Sequence, residues 1–331
     1  MTTLALVGSD SLLGREIRDI VATSAPGFNL RLVAGGEEKP GTLTRVGDEP
    51  SLIEDLGPDN LSGARAIFLT GSPESSAKAF ELADPGTILI DLTGTAEERP
   101  DARLRAPLVE SEDEEIPEAA VHVIAHPAAI TLALFLRRLQ MHDAIRRSII
   151  HVFAPASEHG KPGVEELQQQ TVSLLSFKNM PRAVFDTQLS FNLLAQYGED
   201  APISLGVLEQ RIESHLATLL ALPGEGEGAP IPSLRLIQTP VFHGYSFSAW
   251  VEFEESPGVE AVESGLVTAN IEVRGADFEP PTNVGHAGQG GIAVGAITPD
   301  RNEPEACWFW LVADNVRLAA ENAVAVARQL V

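Results

Sequence analysis

The first 125 residues alternate short, mainly apolar runs with amphipathic stretches. Residues 3–7 (TLALV), 30–34 (LRLVA), 66–70 (AIFLT), 87–92 (TILIDL) and 120–125 (AVHVIA) are five such runs. Turn chemistry follows the first of them at Gly8-Ser9-Asp10-Ser11, and Leu12, Leu13, Ile17, Ile20 and Val21 then recur at helical spacing. The third run ends at Gly71-Ser72-Pro73, ahead of a short helix over 74–82. Strands that are apolar on both faces, with helices between them, indicate parallel pairing buried from either side. The pattern predicts an α/β unit with a doubly wound parallel sheet.

Beyond His126-Pro127 the texture changes. Helical spacing predicts helices over 131–140, 164–176 and 205–222, with a strand at 148–154. Residues 224–232 (GEGEGAPIP) have loop composition. Alternating segments at 234–241, 246–254 and 266–273 suit an antiparallel sheet, with Phe247, Ala249, Val251 and Phe253 on one face. A last apolar strand at 306–312 precedes a final helix over 315–330. No internal repeat is visible, and the acidic run at 110–118 reads as a solvated loop.

Length and charge narrow the picture. The 331 residues predict about two domains, and 44% hydrophobic residues supply a sizeable core. The formal charge of −24 repels phosphate backbones and anionic lipid, so neither nucleic acid nor membrane is an expected partner. A single cysteine excludes an intrachain disulfide and a cysteine-rich metal site, and no metal is expected. The longest apolar stretch, 128–136, contains Thr131 and stops at Arg137-Arg138, well short of the roughly 18 residues of a membrane span. A soluble, cytoplasmic protein is expected.

Several residues invite a chemical reading. Gly8-Ser-Asp-Ser-Leu-Leu-Gly14 follows the first strand and opens the first helix, where glycine permits a tight turn and free N–H groups face a pyrophosphate. Ser11 stands where the usual fingerprint has its middle glycine, and Asp10 adds unwelcome negative charge. By spacing alone, a plain strand–helix junction is equally open. Cys307 lies in an apolar strand and reads as a small buried hydrophobe. His126 reads as a structural or hydrogen-bonding residue, and His159, His243 and Ser157 have no evident catalytic partner. His122 and His126 are four apart but fall on a strand and a turn, which does not suit a metal pair.

Five motifs, in order, resemble the aspartate-semialdehyde dehydrogenase family over nearly the whole chain, and in particular its degenerate, Usg-like branch. They are Pro107-Leu-Val109, Ser157-Glu-His-Gly-Lys161, Phe191-Asn192, Thr239-Pro-Val-Phe-His-Gly244 and Ala313-Asp-Asn-Val-Arg-Leu-Ala-Ala-Glu-Asn-Ala323. The resemblance implies a Rossmann-type dinucleotide-binding domain over 1–130, completed by the C-terminal helix 313–331. It also implies an α+β dimerisation domain over 131–312 with the glyceraldehyde-phosphate-dehydrogenase-like C-terminal fold. A homodimer, or a heterodimer with an active paralogue, is the partner it implies.

In that family a cysteine thiolate attacks the aldehyde, hydride passes to NADP and phosphate releases the acyl group, with histidine as acid and base. Carried over residue by residue, the resemblance places Ala129 at the nucleophile position and Tyr245 at the base position. It places Gln238 at the substrate-arginine position and Ala154 at the substrate-glutamine position. A methyl group has no electron pair to attack a carbonyl, so these catalytic positions are degenerate. Gly8, Ser11, Leu12, Leu13, Gly14 and Gly71 are the expected cofactor-binding positions. Glu37 stands at the 2′-phosphate position, which disfavours NADP and leaves NAD as the open cofactor. The family's arginine near the fourth strand falls at Ala96-Glu97-Glu98, and its asparagine after Pro-Leu-Val falls at Glu114. The expectation is an inactive relative with a binding or assembly role. The competing expectation is an NAD(P)-dependent semialdehyde dehydrogenase of amino-acid biosynthesis.

Overall fold

The computed structural model describes all residues except 1, 26, 112–118 and 224–227. Most of the acidic run, Glu114 and the centre of the 224–232 loop therefore lie outside the described residues. The chain forms two compact units. One comprises Met1–Ala125 together with Ala319–Val331, and the other His126–Leu318.

The first unit runs β1 (Thr2–Val7), α1 (Leu12–Ser24), β2 (Phe28–Val33), β3 (Leu43–Val46), β4 (Glu49–Leu52) and the single-turn α2 (Pro58–Leu61). It continues with β5 (Ala66–Leu69), α3 (Pro73–Leu82), β6 (Ile88–Asp91), β7 (Ala102–Arg105) and β8 (Val121–Ile124). Six strands form one parallel sheet in the order β2-β1-β5-β6-β8-β7. Strands β5 and β8 are buried at every position, as wholly apolar runs require. Helix α1 starts where Ser11 Oγ accepts the Gly14 N–H at 2.9 Å, and it buries Ile17, Ile20 and Val21. Helix α3 starts with Pro73 behind a reciprocal Ser72–Ser75 capping box. Because β1 lies between β2 and β5, the loops after these three strands converge at the sheet's topological switch point.

The second unit runs α4 (Pro127–His142), β9 (Ile145–Ala154), a 3-10 turn (Ala156–His159), α5 (Gly160–Leu175), α6 (Leu205–Leu220) and β10 (Ser233–Gln238). It continues with β11 (Tyr245–Phe253), α7 (Val259–Leu266), β12 (Ile271–Arg274), the single-turn α8 (Asn283–His286), β13 (Ile292–Pro299) and β14 (Ala306–Ala313). Its six strands are ordered β10-β9-β11-β14-β13-β12. Phe247, Ala249, Val251 and Phe253 are all fully buried. Phe135 of α4 meets Phe309 of β14 edge-on at 5.0 Å, and α4 packs against α6 and α7. The expected antiparallel sheet is instead mixed, because β10 pairs with β9, and β12 with β13, in parallel. The strand expected over 266–273 is corrected as well. Val259, Val262 and Leu266 recur at helical spacing and form α7, so the strand starts only at Ile271.

Helix α9 (Asn315–Leu330) begins in the second unit and ends in the first. In the first unit Ala320, Ala323, Val326 and Ala327 are fully buried, Asn322 Oδ1 accepts the Leu108 N–H at 3.2 Å, and Arg328 donates to the Ser24 carbonyl. Buried Arg105 holds Glu110 with Nη2–Oε2 at 2.7 Å and donates to Gln329 Oε1 of α9 at 2.6 Å.

Candidate functional site

Four elements of the second unit converge on one buried polar network. His126 is the N-cap of α4, its Nδ1 accepting the Ala128 N–H at 3.2 Å. That bond leaves the ring proton on Nε2, which donates to Glu158 Oε1 at 2.9 Å. Tyr245, the first residue of β11, donates its phenolic proton to Glu158 Oε2 at 2.8 Å. The His126 and Tyr245 rings meet edge-on at 5.9 Å, and the His126 N–H donates to His215 Nδ1 at 3.0 Å. Two carboxylate oxygens and two ring donors thus saturate one another.

A second chain of bonds starts at His159. His159 Nε2 donates to Tyr197 Oη at 2.9 Å, and Tyr197 donates to Gln238 Oε1 at 2.6 Å. Gln238 Nε2 donates to the carbonyls of Ala154 and Thr239 at 3.0 and 3.2 Å. Every polar atom of the Gln238 side chain has a partner inside the protein.

The electrostatics follow from this burial. Burial opposes ionisation of Glu158, but the hydrogen bonds donated by His126 and Tyr245 win and hold its carboxyl well below the usual range. The Tyr245 phenol is pushed well above its ordinary value by burial and then by the Glu158 charge. A phenol so placed is a locked donor and has no function as a base near neutral pH. Burial also lowers His159, which sits in the bond chain as a neutral donor.

The other candidate groups lie elsewhere. Cys307 is buried in β14 opposite Val251, whereas Tyr245 faces Ala313 at the other end of the same strand pair. Six ladder positions at roughly 3.3 Å each put the thiol about 20 Å from the network. Burial raises its pKa besides, which suppresses the thiolate. His243 is exposed in the loop before Gly244. Ser157 Oγ donates to Asn315 Oδ1 at 3.1 Å, an atom that also accepts the Gly244 N–H, so Ser157 fastens the loop that leads into Tyr245. His122 is buried in the first unit beside Arg105, and burial followed by that positive charge lowers it to about 4. Among the described residues, no group of three His, Cys, Asp or Glu side chains could hold a metal ion.

In the first unit the expected cofactor residues gather at the switch point. Gly8 has φ +86°, and a Cβ built there would stand 2.2 Å from the Gly71 N. A Cβ on Gly14 would meet the Gly8 carbonyl at 2.2 Å, and one on Gly35 would meet the Gly8 N at 2.7 Å. Glycine is needed at these places for close backbone approach. Leu12 and Leu13 form the first turn of α1 behind Ser11, half-buried. Glu37 is exposed, and it is Glu38 that reaches the loop, accepting the Asp10 N–H at 2.7 Å and the Gly35 N–H at 3.2 Å. Beside it opens a cavity of about 460 Å³ whose lining includes Gly36, Glu38, Asp55, Ser72, Glu74 and Lys78.

Residues 136–318 match the family described as semialdehyde dehydrogenase, dimerisation domain. A USG-1 protein homolog of Pseudomonas aeruginosa is 31% identical, with 99% of this chain and 97% of that protein covered. The chain belongs to the aspartate-semialdehyde dehydrogenase family. An aspartate-semialdehyde dehydrogenase of Rickettsia bellii is 26% identical over 99% of this chain and 97% of that protein. Among solved structures, one described as a probable aspartate-semialdehyde dehydrogenase from Pseudomonas aeruginosa superposes with a TM-score of 0.85 at 29% identity, covering 99% of this chain and 98% of that one.

Against the family's motifs, the structure puts Ala129 in the first turn of α4, Ala154 at the end of β9, Gln238 at the end of β10 and Tyr245 at the start of β11, all of them buried. Ala154 and Gln238 are hydrogen-bonded to each other, and Tyr245 joins the His126–Glu158 pair. Sequence reasoning missed Glu158 and Tyr197. The signal for Glu158 was available, since an acid stands at the second position of Ser157-Glu-His-Gly-Lys161, where the resembling motif has glycine. The dinucleotide implied by family membership does not fit the first unit as it stands. A diphosphate laid on the loop after β1 would face the Glu38 carboxylate, which already takes the Asp10 and Gly35 N–H groups.

Proposed function

We propose that this chain is a non-catalytic member of its family that acts by binding or assembly. The observation that carries this reading is the buried Glu158, whose two oxygens take up the protons of His126 and Tyr245 around a nucleophile position occupied by Ala129. Acyl transfer of the family type requires a thiolate and a base within reach of one carbonyl carbon. Here the nucleophile position carries a methyl group, the base position carries a phenol locked as a donor, and the single thiol is about 20 Å away. The same locked phenol opposes a ketone reduction with Tyr245 as the acid.

Support for assembly comes from the match to the dimerisation domain, which spans most of the second unit. The expected assembly is a homodimer, or a heterodimer with an active paralogue. Purified protein incubated with aspartate semialdehyde, phosphate and either nicotinamide cofactor should give no change in nicotinamide absorbance above the enzyme-free rate. Turnover comparable to an ordinary dehydrogenase would instead establish an active semialdehyde dehydrogenase. Sedimentation velocity at micromolar concentration should give a dimer. A monomer that also captures no paralogue from its host would remove the assembly reading.

A further inference from the structure

The loop after β1 has the geometry of an anion seat, yet six of the N–H groups around it are already engaged. The Gly8 and Ser9 N–H groups go to the Val33 carbonyl at 3.0 and 3.4 Å, Ser11 N–H to the Gly8 carbonyl at 3.0 Å and Gly14 N–H to Ser11 Oγ. The Asp10 and Gly35 N–H groups point at an anion, and that anion is Glu38. A carboxylate accepting two backbone donors through two different oxygens reproduces what a phosphate does at a Rossmann turn.

We propose that Glu38 is the residue that decides dinucleotide specificity in this chain, an internal anion filling the phosphate seat so that neither NAD nor NADP is retained. The tether is short. Glu38 lies three residues after Gly35, its own N–H returns to the Gly35 carbonyl, and Gly36 turns the chain at φ +64°. Such an anion competes at high effective concentration against any free ligand. The surroundings reinforce it, because Glu38, Asp55 and Glu74 line the adjoining cavity against the single cation Lys78. Arg15 does not offset this, since its guanidinium is paired with Asp10 at 2.9 Å. The assignment is independent of the lost nucleophile, because binding is read without turnover.

Calorimetric titration with NAD, NADP and inorganic pyrophosphate tests it. The native chain should show no saturable binding of any of the three up to millimolar concentration. Glu38→Ala should gain at least one dinucleotide, together with pyrophosphate, at least about tenfold more tightly. Glu37→Ala should behave as the native chain does. Should Glu38→Ala fail to fold by circular dichroism, Glu38→Gln keeps the length and one acceptor oxygen while removing the charge, and should gain affinity in the same direction. Two results would overturn the assignment. One is native binding of NAD at micromolar concentration that weakens in Glu38→Ala, which makes Glu38 a ribose ligand. The other is a folded variant that binds no better than the native chain.

Discussion

Glu158 serves two donors that have no other acceptor in the network, so its removal tests how far this network holds the fold together. Glu158→Ala strands the His126 and Tyr245 protons in the interior. The expected cost is about 2–4 kcal/mol, read as a lower midpoint in urea denaturation. Tyr245→Phe removes one donor and should cost only about 1–2 kcal/mol in the same measurement. Because the folded carboxyl is held below its unfolded value, its contribution is complete above pH of about 4.5 and is lost as pH falls toward the folded value. Between about pH 5 and 2, stability should therefore fall less steeply in Glu158→Gln than in the native chain. The motifs drew attention to Ala129 and Tyr245, and both are buried in the second unit. The choice between Glu37 and Glu38 was not readable from the motifs, because neighbouring side chains diverge and only the left-handed Gly36 brings the second of them back onto the loop.

Among the elements, the convergence of Gly8, Gly35 and Gly71 leaves no room for a side chain on any of the three. Gly8→Ala forces a side chain into a left-handed position and against the Gly71 backbone. It should cost about 3 kcal/mol or more, measured by thermal unfolding. The five apolar runs of the first third all became parallel strands, since burial on both faces leaves a composition that few alternatives share. The second sheet was harder to read. A period of two reports which face is buried but carries no information about strand direction, so the parallel pairs β9–β10 and β12–β13 were invisible. Strand β13 hid for a different reason. Gly295 and the left-handed Ala296 interrupt its alternation where the register with β14 shifts. The short β7 and the β3–β4 hairpin, four residues per strand, offered too few positions for any period to register.

For the molecule as a whole, 47 acidic side chains against 23 basic ones make self-repulsion a global term. Raising salt from about 0.05 to 0.5 M should raise the melting temperature, by roughly 2–4 °C for each kcal/mol of repulsion screened. A melting temperature that falls with salt would show that local ion pairs such as Arg105–Glu110 outweigh the repulsion. No described helix is long and apolar enough to cross a membrane. The division into two units was visible as a change of texture near His126. Helix α9 adds a constraint of another kind. Its final turns fill the core of the first unit, so that unit lacks a wall until residues 319–331 have been synthesised. On the ribosome the second unit has all of its parts available earlier, and the order of maturation runs opposite to the order of synthesis.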